Sequence, residues 1–433
     1  MNNIRTRRMA FRKKLRPLIA AVAAAGAMAT VTGCGISGSP AASEADIRKL
    51  DVGSYPTDPL DLRTFYEHST LGGRALAIGR LAGATANGID IDPKLKYGLR
   101  TRTIISSSYA VDVLAHGIEP ILDTNGMMFG FSATSSTHPV LDSNWVDIPS
   151  TINAFNGETP DPAADSVNIT VLQFPDEQRA QQAAEQIEAA DFAVAPDENV
   201  AVPLAKYPSA RSHWRPGVPS LGSAVAHGAY VINVYVQQPT PDLAGLQAFA
   251  ERVYGAQIPL LDQLPPMNPR ELLLQDYDPD LMMQRTLHPN TVIGPKAGNE
   301  LVHTPRAFLH FMSDQSVWKK LIDDGGVDRI SLAAKGALLL RARDARAATS
   351  LWSSFKAPED KPADQPAGVP DVFCTENPNP KSVDFSDAWN NNDRFYCTIR
   401  YGRYVARVAG AQLKDVNQRA AAQYALLAKS QYL

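Results

Sequence analysis

The sequence predicts an α+β protein made of two tandem copies of one antiparallel-sheet unit, roughly β-β-α-β-β-α, with helices packed on one face. Two internal matches and a repeated alternation of apolar residues predict it. The first match pairs two helices at a shift of 168 residues. Asp176 reads as an N-cap after a strand at Asn168–Phe174, and Ala180, Ala183, Ala184 and Ile187 form an i, i+3, i+4, i+7 stripe. Asp344 reads the same way after a strand at Gly336–Arg341, with Ala348, Leu351, Trp352 and Phe355 as its stripe. The second match pairs two hairpins at a shift of 174. Leu221, Ser223 and Val225 alternate, His227-Gly228 turns, and Tyr230, Ile232, Val234 and Val236 return. Phe395, Cys397 and Ile399 alternate, Tyr401-Gly402 turns, and Tyr404, Ala406 and Val408 return.

Each hairpin is followed by a helix. One runs from Asp242 to about Leu261 with Leu246, Phe249, Ala250 and Val253 on one face. The other runs from Asp415 to about Lys429, where Gln423 interrupts the stripe of Ala420, Tyr424 and Leu427. Upstream, helical stretches at Ser108–His116 and Pro305–Met312 precede strands near Met127–Ala133 and Asp328–Ala334. Stripes against alternating strands give a sheet covered by helices. The connection Pro358–Asn392, rich in Pro, Asp and Asn, reads as a longer loop of the second copy, and it holds Cys374. Its partner would be Cys397, which corresponds to Ser223, so the second copy alone would carry a bridge pinning this loop to the hairpin. The expected division is 1–33 signal peptide, 34–60 lipidated cysteine and Pro-rich tether, 61–265 first unit and 266–433 second unit.

Charge and the N-terminus bound the function. Seven basic residues and no acid lie in residues 1–33; without them the chain has 35 basic against 45 acidic residues, a net of −10. Nucleic acid and anionic lipid surfaces need clustered cations, so neither is an expected partner of the body. A basic stretch ending at Arg16, an Ala-rich apolar run from Leu18 to about Val31, and small residues before Cys34 give the layout of an export signal. The apolar run is too short to span a bilayer core, which needs about 20 residues. Phe11 falls one place late for a twin-arginine signal after Thr6-Arg7-Arg8, so general secretion is expected.

Val31-Thr-Gly-Cys34 resembles the lipobox of bacterial lipoproteins. That resemblance implies a diacylglyceryl group on Cys34, cleavage before it and acylation of the new amino group, a two-chain anchor. With Cys34 spent on lipid, Cys374 and Cys397 remain as an even pair. Export makes a disulfide the expectation, with two buried thiols as the alternative. Gly35–Ala45 reads as a tether reaching at most about 36–40 Å. The order of lipobox, Pro-rich segment and duplicated α+β body resembles the uncharacterised lipoprotein family of mycobacteria, nocardiae and relatives. The resemblance implies a lipid-anchored protein on the outer face of the cell membrane and supplies no activity and no site residues.

Motifs for chemistry are incomplete. Gly130-Phe-Ser-Ala-Thr134 lacks the last glycine of a nucleophile elbow, and His138 follows Ser132 too closely to argue for a triad. The eight histidines are scattered; only His303 and His310, seven apart, would align on a helix. Asp323–Asp328 lacks the alternating ligands and terminal Glu of a calcium loop. Gly72-Gly73 has no Lys-Ser/Thr of a phosphate loop and reads as helix capping. No catalytic residue, metal or cofactor is therefore assigned. Arg211-Ser-His-Trp-Arg215 is the one polar-aromatic stretch that suits a ligand, through Arg211, His213, Trp214 and Arg215, though a strand with a buried Trp214 explains it as well. The expected function is a non-enzymatic binding or accessory module for an envelope protein, lipid or glycan. Alternatives are an envelope ester hydrolase with a Ser/His site assembled by the fold, and an anchored sensor subunit.

Overall fold

The computed structural model describes residues 45–59, 66–139, 160–289, 294–296, 300–333, 336–356, 361–377 and 393–433. The first half begins with α1 (Thr70–Ala82) and α2 (Gly88–Ile91), then β1 (Tyr97–Ile104), α3 (Glu119–Thr124), β2 (Phe129–Ser136) and β3 (Ser166–Gln173). It continues with α4 (Glu177–Phe192), β4 (Val200–Ala201), β5 (Arg211–Trp214), β6 (Ser220–His227), β7 (Tyr230–Gln237) and α5 (Leu243–Leu261). A short helix α6 (Pro269–Leu273) leads to the second half: β8 (Leu301–His303), α7 (Pro305–Leu309), α8 (Gln315–Gly325), β9 (Arg329–Leu332) and β10 (Ala337–Arg341). Then come α9 (Ala345–Ser354), β11 (Lys361–Ala363), β12 (Val372–Glu376), β13 (Phe395–Tyr401), β14 (Tyr404–Gly410) and α10 (Leu413–Lys429).

The strands form two separate seven-stranded antiparallel sheets of the same permuted order. The first reads β1-β2-β3-β7-β6-β5-β4 and the second β8-β9-β10-β14-β13-β12-β11. The body is therefore α+β and internally duplicated. Asp176 and Asp344 cap α4 and α9 as read, each accepting the N3 amide at 2.8 Å. The stretch Ser108–His116 is a 3-10 turn at Ser107–Tyr109 followed by turns, with the helix α3 beginning only at Glu119. The stretch Pro358–Asn392 holds the edge strand β11 and its neighbour β12. Its prolines allow this because Pro362 sits on the outermost strand, where a missing amide costs nothing.

Helices cover both faces of each sheet, where one face was expected. The central strands β3 and β7 are apolar on both sides. Val171 and Ile232 pair on the face shared with α5, while Leu172 and Val231 pair on the face shared with α4. In the second sheet Leu338 and Leu340 face α8 and α9, and Leu339, Cys397 and Ile399 face α10. Each fully buried side chain of this kind contributes about 1.5–3 kcal/mol. The core between the sheets is continuous: the α5 face of the first sheet and the α9 face of the second belong to one cluster.

The halves meet along the edge of the first sheet. Residues 313–315 pair beside β1, with Gln315 N donating to Lys96 O at 2.8 Å and Gly98 N to Ser313 O at 3.1 Å. Helix α1 lies at this junction, and its glycines permit the approach. A Cβ on Gly79 would stand 2.8 Å from Leu301 Cδ1, and one on Gly83 would stand 2.8 Å from Thr304 Oγ1.

Two buried glutamines repeat one device. Gln257 of α5 donates to Ala84 O at 2.8 Å and accepts from Ala86 N at 2.9 Å. Gln423 of α10 donates to Arg285 O and accepts from Leu287 N, both at 2.8 Å. Between each clamped pair sits a threonine, Thr85 or Thr286, donating back to the carbonyl four residues earlier. The glutamine that broke the apolar stripe thus satisfies buried backbone that water does not reach.

Residues 45–59, read as part of a tether, pack against α10. Leu50 joins the core beneath it. Tyr55 OH donates to Asp415 at 2.5 Å, Gln418 donates to Asp51 at 2.9 Å, and Lys429 reaches Thr57 and Asp58 at 2.9 and 2.8 Å.

Candidate functional site

Cys374 on β12 and Cys397 on β13 stand directly opposite one another and are bonded. The cystine is buried, with Asn417 Oδ1 of α10 3.5 Å from both sulfurs. The bridge joins two neighbouring strands rather than pinning a loop to a hairpin. In the first sheet the same place is held by Ser212 and Ser223, whose hydroxyls lie 2.7 Å apart, with Tyr254 of α5 donating to Ser223 at 2.8 Å. Cys34 lies outside the described residues.

The polar-aromatic stretch forms β5, and each of its polar side chains has a partner within the first half. Arg211 pairs with Glu185 at 3.0 Å, His213 Nδ1 meets Glu188 at 3.2 Å, and Arg215 meets Glu198 at 3.3 Å. Trp214 Nε1 donates to Val218 O at 2.7 Å. The pattern is a strand next to the short edge strand β4, zipped to the acidic side of α4 and the turn after it. The arginines remain partly exposed; His213 is 9% exposed.

The other residues singled out in the sequence are similarly placed. Ser132 is buried on β2 and shares hydrogen bonds with Asn168 and Thr170 of β3. His138 Nδ1 lies 2.9 Å from Asp161. His303 ends β8 and His310 follows α7, so no single helix aligns them; both are buried around Phe311 and Phe131. Burial holds the pKa of His310 down at about 4, and that of His288 likewise. Asp323 and Asp324 pair with Lys319 and Lys320 one turn back, and Gly326 closes α8 in the left-handed conformation at φ 53°. Among the described residues no group of three or more His, Cys, Asp or Glu side chains is placed to hold a metal ion.

A cavity of about 480 Å³ opens where the two halves meet. The C-terminal turns of α1 and α5 form one wall, the segment 275–280 that links the halves crosses it, and β8 with the start of α7 forms the other. Leu76, Leu260, Leu264, Leu301 and Val302 supply apolar surface. The linking segment is held by Tyr277, whose hydroxyl donates to Glu300 O at 3.2 Å and whose ring lies 5.4 Å from that of Tyr66. Burial raises the pKa of that hydroxyl, which stays protonated as a donor. Most charges on the lining are neutralised by neighbours. Arg329 Nε donates to Asp280 at 2.5 Å, and Arg306 pairs with Asp90. This is the size and location typical of small-molecule sites. Sequence reading missed it because it is made by residues from Leu76 to Arg329, none of which forms a local motif.

The fold and this junction define a class: a pseudo-duplicated α+β protein with two antiparallel sheets, a cavity between its halves and a disulfide in the second sheet. Two family models match the chain. Domain of unknown function DUF7373, N-terminal, matches residues 65–276, and its C-terminal counterpart matches residues 282–430. The chain belongs to the DUF7373 family. No curated protein matches it. Among solved structures, the extracellular domain of PknH from Mycobacterium tuberculosis is similar at 11% identity, over 43% of this chain and 96% of that one, with a TM-score of 0.29.

Proposed function

We propose that this protein is a lipid-anchored protein of the bacterial cell envelope, of the kind found in mycobacteria, nocardiae and relatives, and that it acts as a non-catalytic binding or accessory module. The observation that carries this reading is the buried Cys374–Cys397 disulfide, because such bonds persist in oxidising compartments outside the cytoplasm. No helix among the described residues is long and apolar enough to cross a membrane. The lipobox-like Val31–Cys34 supplies the anchor in this reading, a thioether-linked lipid on Cys34. Residues 45–59 dock on α10 and so belong to the folded body.

The test is the mass of the mature N-terminus. Native protein should begin at Cys34 and carry acyl mass, and Cys34→Ala should lose that mass and leave the membrane fraction. An unmodified Cys34 in native protein would overturn the reading.

A further inference from the structure

The cavity between the halves carries an inference about its ligand that rests on the binding-module reading. Two charged side chains on its lining are uncommitted. Arg80, exposed on α1, makes one hydrogen bond, to Pro265 O at 3.2 Å, and has no carboxylate within ion-pair distance among the described residues. Asp276, exposed on the linking segment, accepts one bond, from Asp278 N at 3.2 Å, and has no cationic partner among the described residues. The two do not pair with each other. Arg329 and Arg306, which also line the cavity, are matched by Asp280 and Asp90. The lining thus presents one free multiple donor and one free multiple acceptor, and its three arginines are balanced by Asp276, Asp280 and, from behind Arg306, Asp90.

That balance selects among ligands. A simple anion drawn to Arg80 would meet the carboxylates of Asp276 and Asp280, and a simple cation would meet the guanidiniums. Hydroxyl groups both donate and accept, so the several hydroxyls of one sugar suit a lining that offers Arg80 as donor and Asp276 as acceptor. The leucine and valine walls suit the C–H faces of a pyranose ring, and Gln263, Gln275 and Thr304 add further neutral polar groups. The volume of about 480 Å³ falls within the usual range for small-ligand sites. We infer that the cavity between the two halves binds a neutral saccharide of one or two rings, held by Arg80 as donor and Asp276 as acceptor. A glycan of the envelope is the source that the proposed location offers.

The experiment is calorimetric titration of the full chain in detergent with maltose and with N,N′-diacetylchitobiose, beside inorganic phosphate and glycine. Saturable binding of a disaccharide is expected, with neither phosphate nor glycine competing. Arg80→Gln and Asp276→Asn should each weaken it at least tenfold, and Arg346→Gln, exposed on α9 away from the cavity lining, should leave it unchanged. Both lining residues are exposed, so their variants should melt like the native protein. Gln263→Trp, which fills the cavity, should abolish binding. Absence of saturable disaccharide binding overturns the inference, as does binding that Arg80→Gln leaves intact. Binding of phosphate alone would replace it with an anion site, and binding of glycine alone with a zwitterion site. None of these results depends on the acyl mass at Cys34, so the inference and the anchored-module reading fail separately.

Discussion

The two halves share one strand order and differ at matched positions in ways that follow from what each face meets. Ser132, Thr170 and Asn233 are cross-strand neighbours on the first sheet, and Leu332, Leu338 and Arg407 hold the same places on the second. The second sheet turns this face into the core between the sheets, where Leu332 and Leu338 join the shared cluster. The first sheet turns it outward. There α4 lies over β5 to β7, and beside it Ser132, Thr134, Asn168 and Thr170 bond to one another. Duplication supplied the backbone; the neighbour of each face decided whether hydroxyls or leucines fill it. The cystine and the Ser212–Ser223 pair show the same divergence on the opposite faces.

Acidification should separate the halves most. His288 lies within the second half and His310 at its seam with the first, Nε2 3.1 Å from Thr85 O, and both are held near a pKa of about 4, against about 6.5 in an open chain. Between those values the unfolded chain takes up protons that the folded chain refuses. Stability is therefore full above pH 6.5 and falls by up to about 1.4 kcal/mol per pH unit for each histidine as pH drops toward 4. Hydrogen exchange followed from pH 7 to 4 should show protection lost first in residues 282–430. Uniform loss in both halves would break the contrast.

Next in size, Leu338→Ser should cost about 4 kcal/mol, combining a lost apolar contact with a buried hydroxyl. Thr170→Leu, at the matched position, should cost only about 1–2 kcal/mol, through the bonds that Ser132 and Asn168 lose. Thermal melts of the two variants compare the faces directly, and equal costs would refute the idea that each face is filled to suit its neighbour. The Cys374→Ser, Cys397→Ser double variant recreates the serine pair in the second sheet. It should lose about 3 kcal/mol, the loop-closure value for a separation of 23 residues. Denaturant midpoints measure it, and addition of reductant should no longer shift them. The smallest effect belongs to Arg211→Gln, which breaks an exposed pair with Glu185 and should shift stability by less than about 1 kcal/mol.

Much of the repeat was readable in the sequence because it is local. Asp176 and Asp344 cap their helices, the hairpins close at the glycines read as turns, though one residue later, at Gly228-Ala229 and Gly402-Arg403, and the stripes on α4 and α9 fit the helical period. β1, β8 and β12 escaped because their residues show no clean alternation or sit among prolines and acids. Helices on both faces went unread for a related reason. A strand such as β7 that is apolar on both sides looks the same in sequence whether one helix or two cover it.

The sequence by itself determined the repeated elements, their caps and turns, the acidic body and the pairing possible between its last two cysteines. Each of these depends on residues a few positions apart, or on composition. Only the tertiary structure decided that Cys374 and Cys397 lie on adjacent strands, that Arg211 to Arg215 are spent on carboxylates and a carbonyl, and that Arg80 and Asp276 share a cavity. The first two depend on pairing and packing within one half, and the last on how the second half seats against α1 and β1. That contact joins Gly79 to Leu301 and Lys96 to Gln315, and no period or motif along the chain encodes a meeting across such distances.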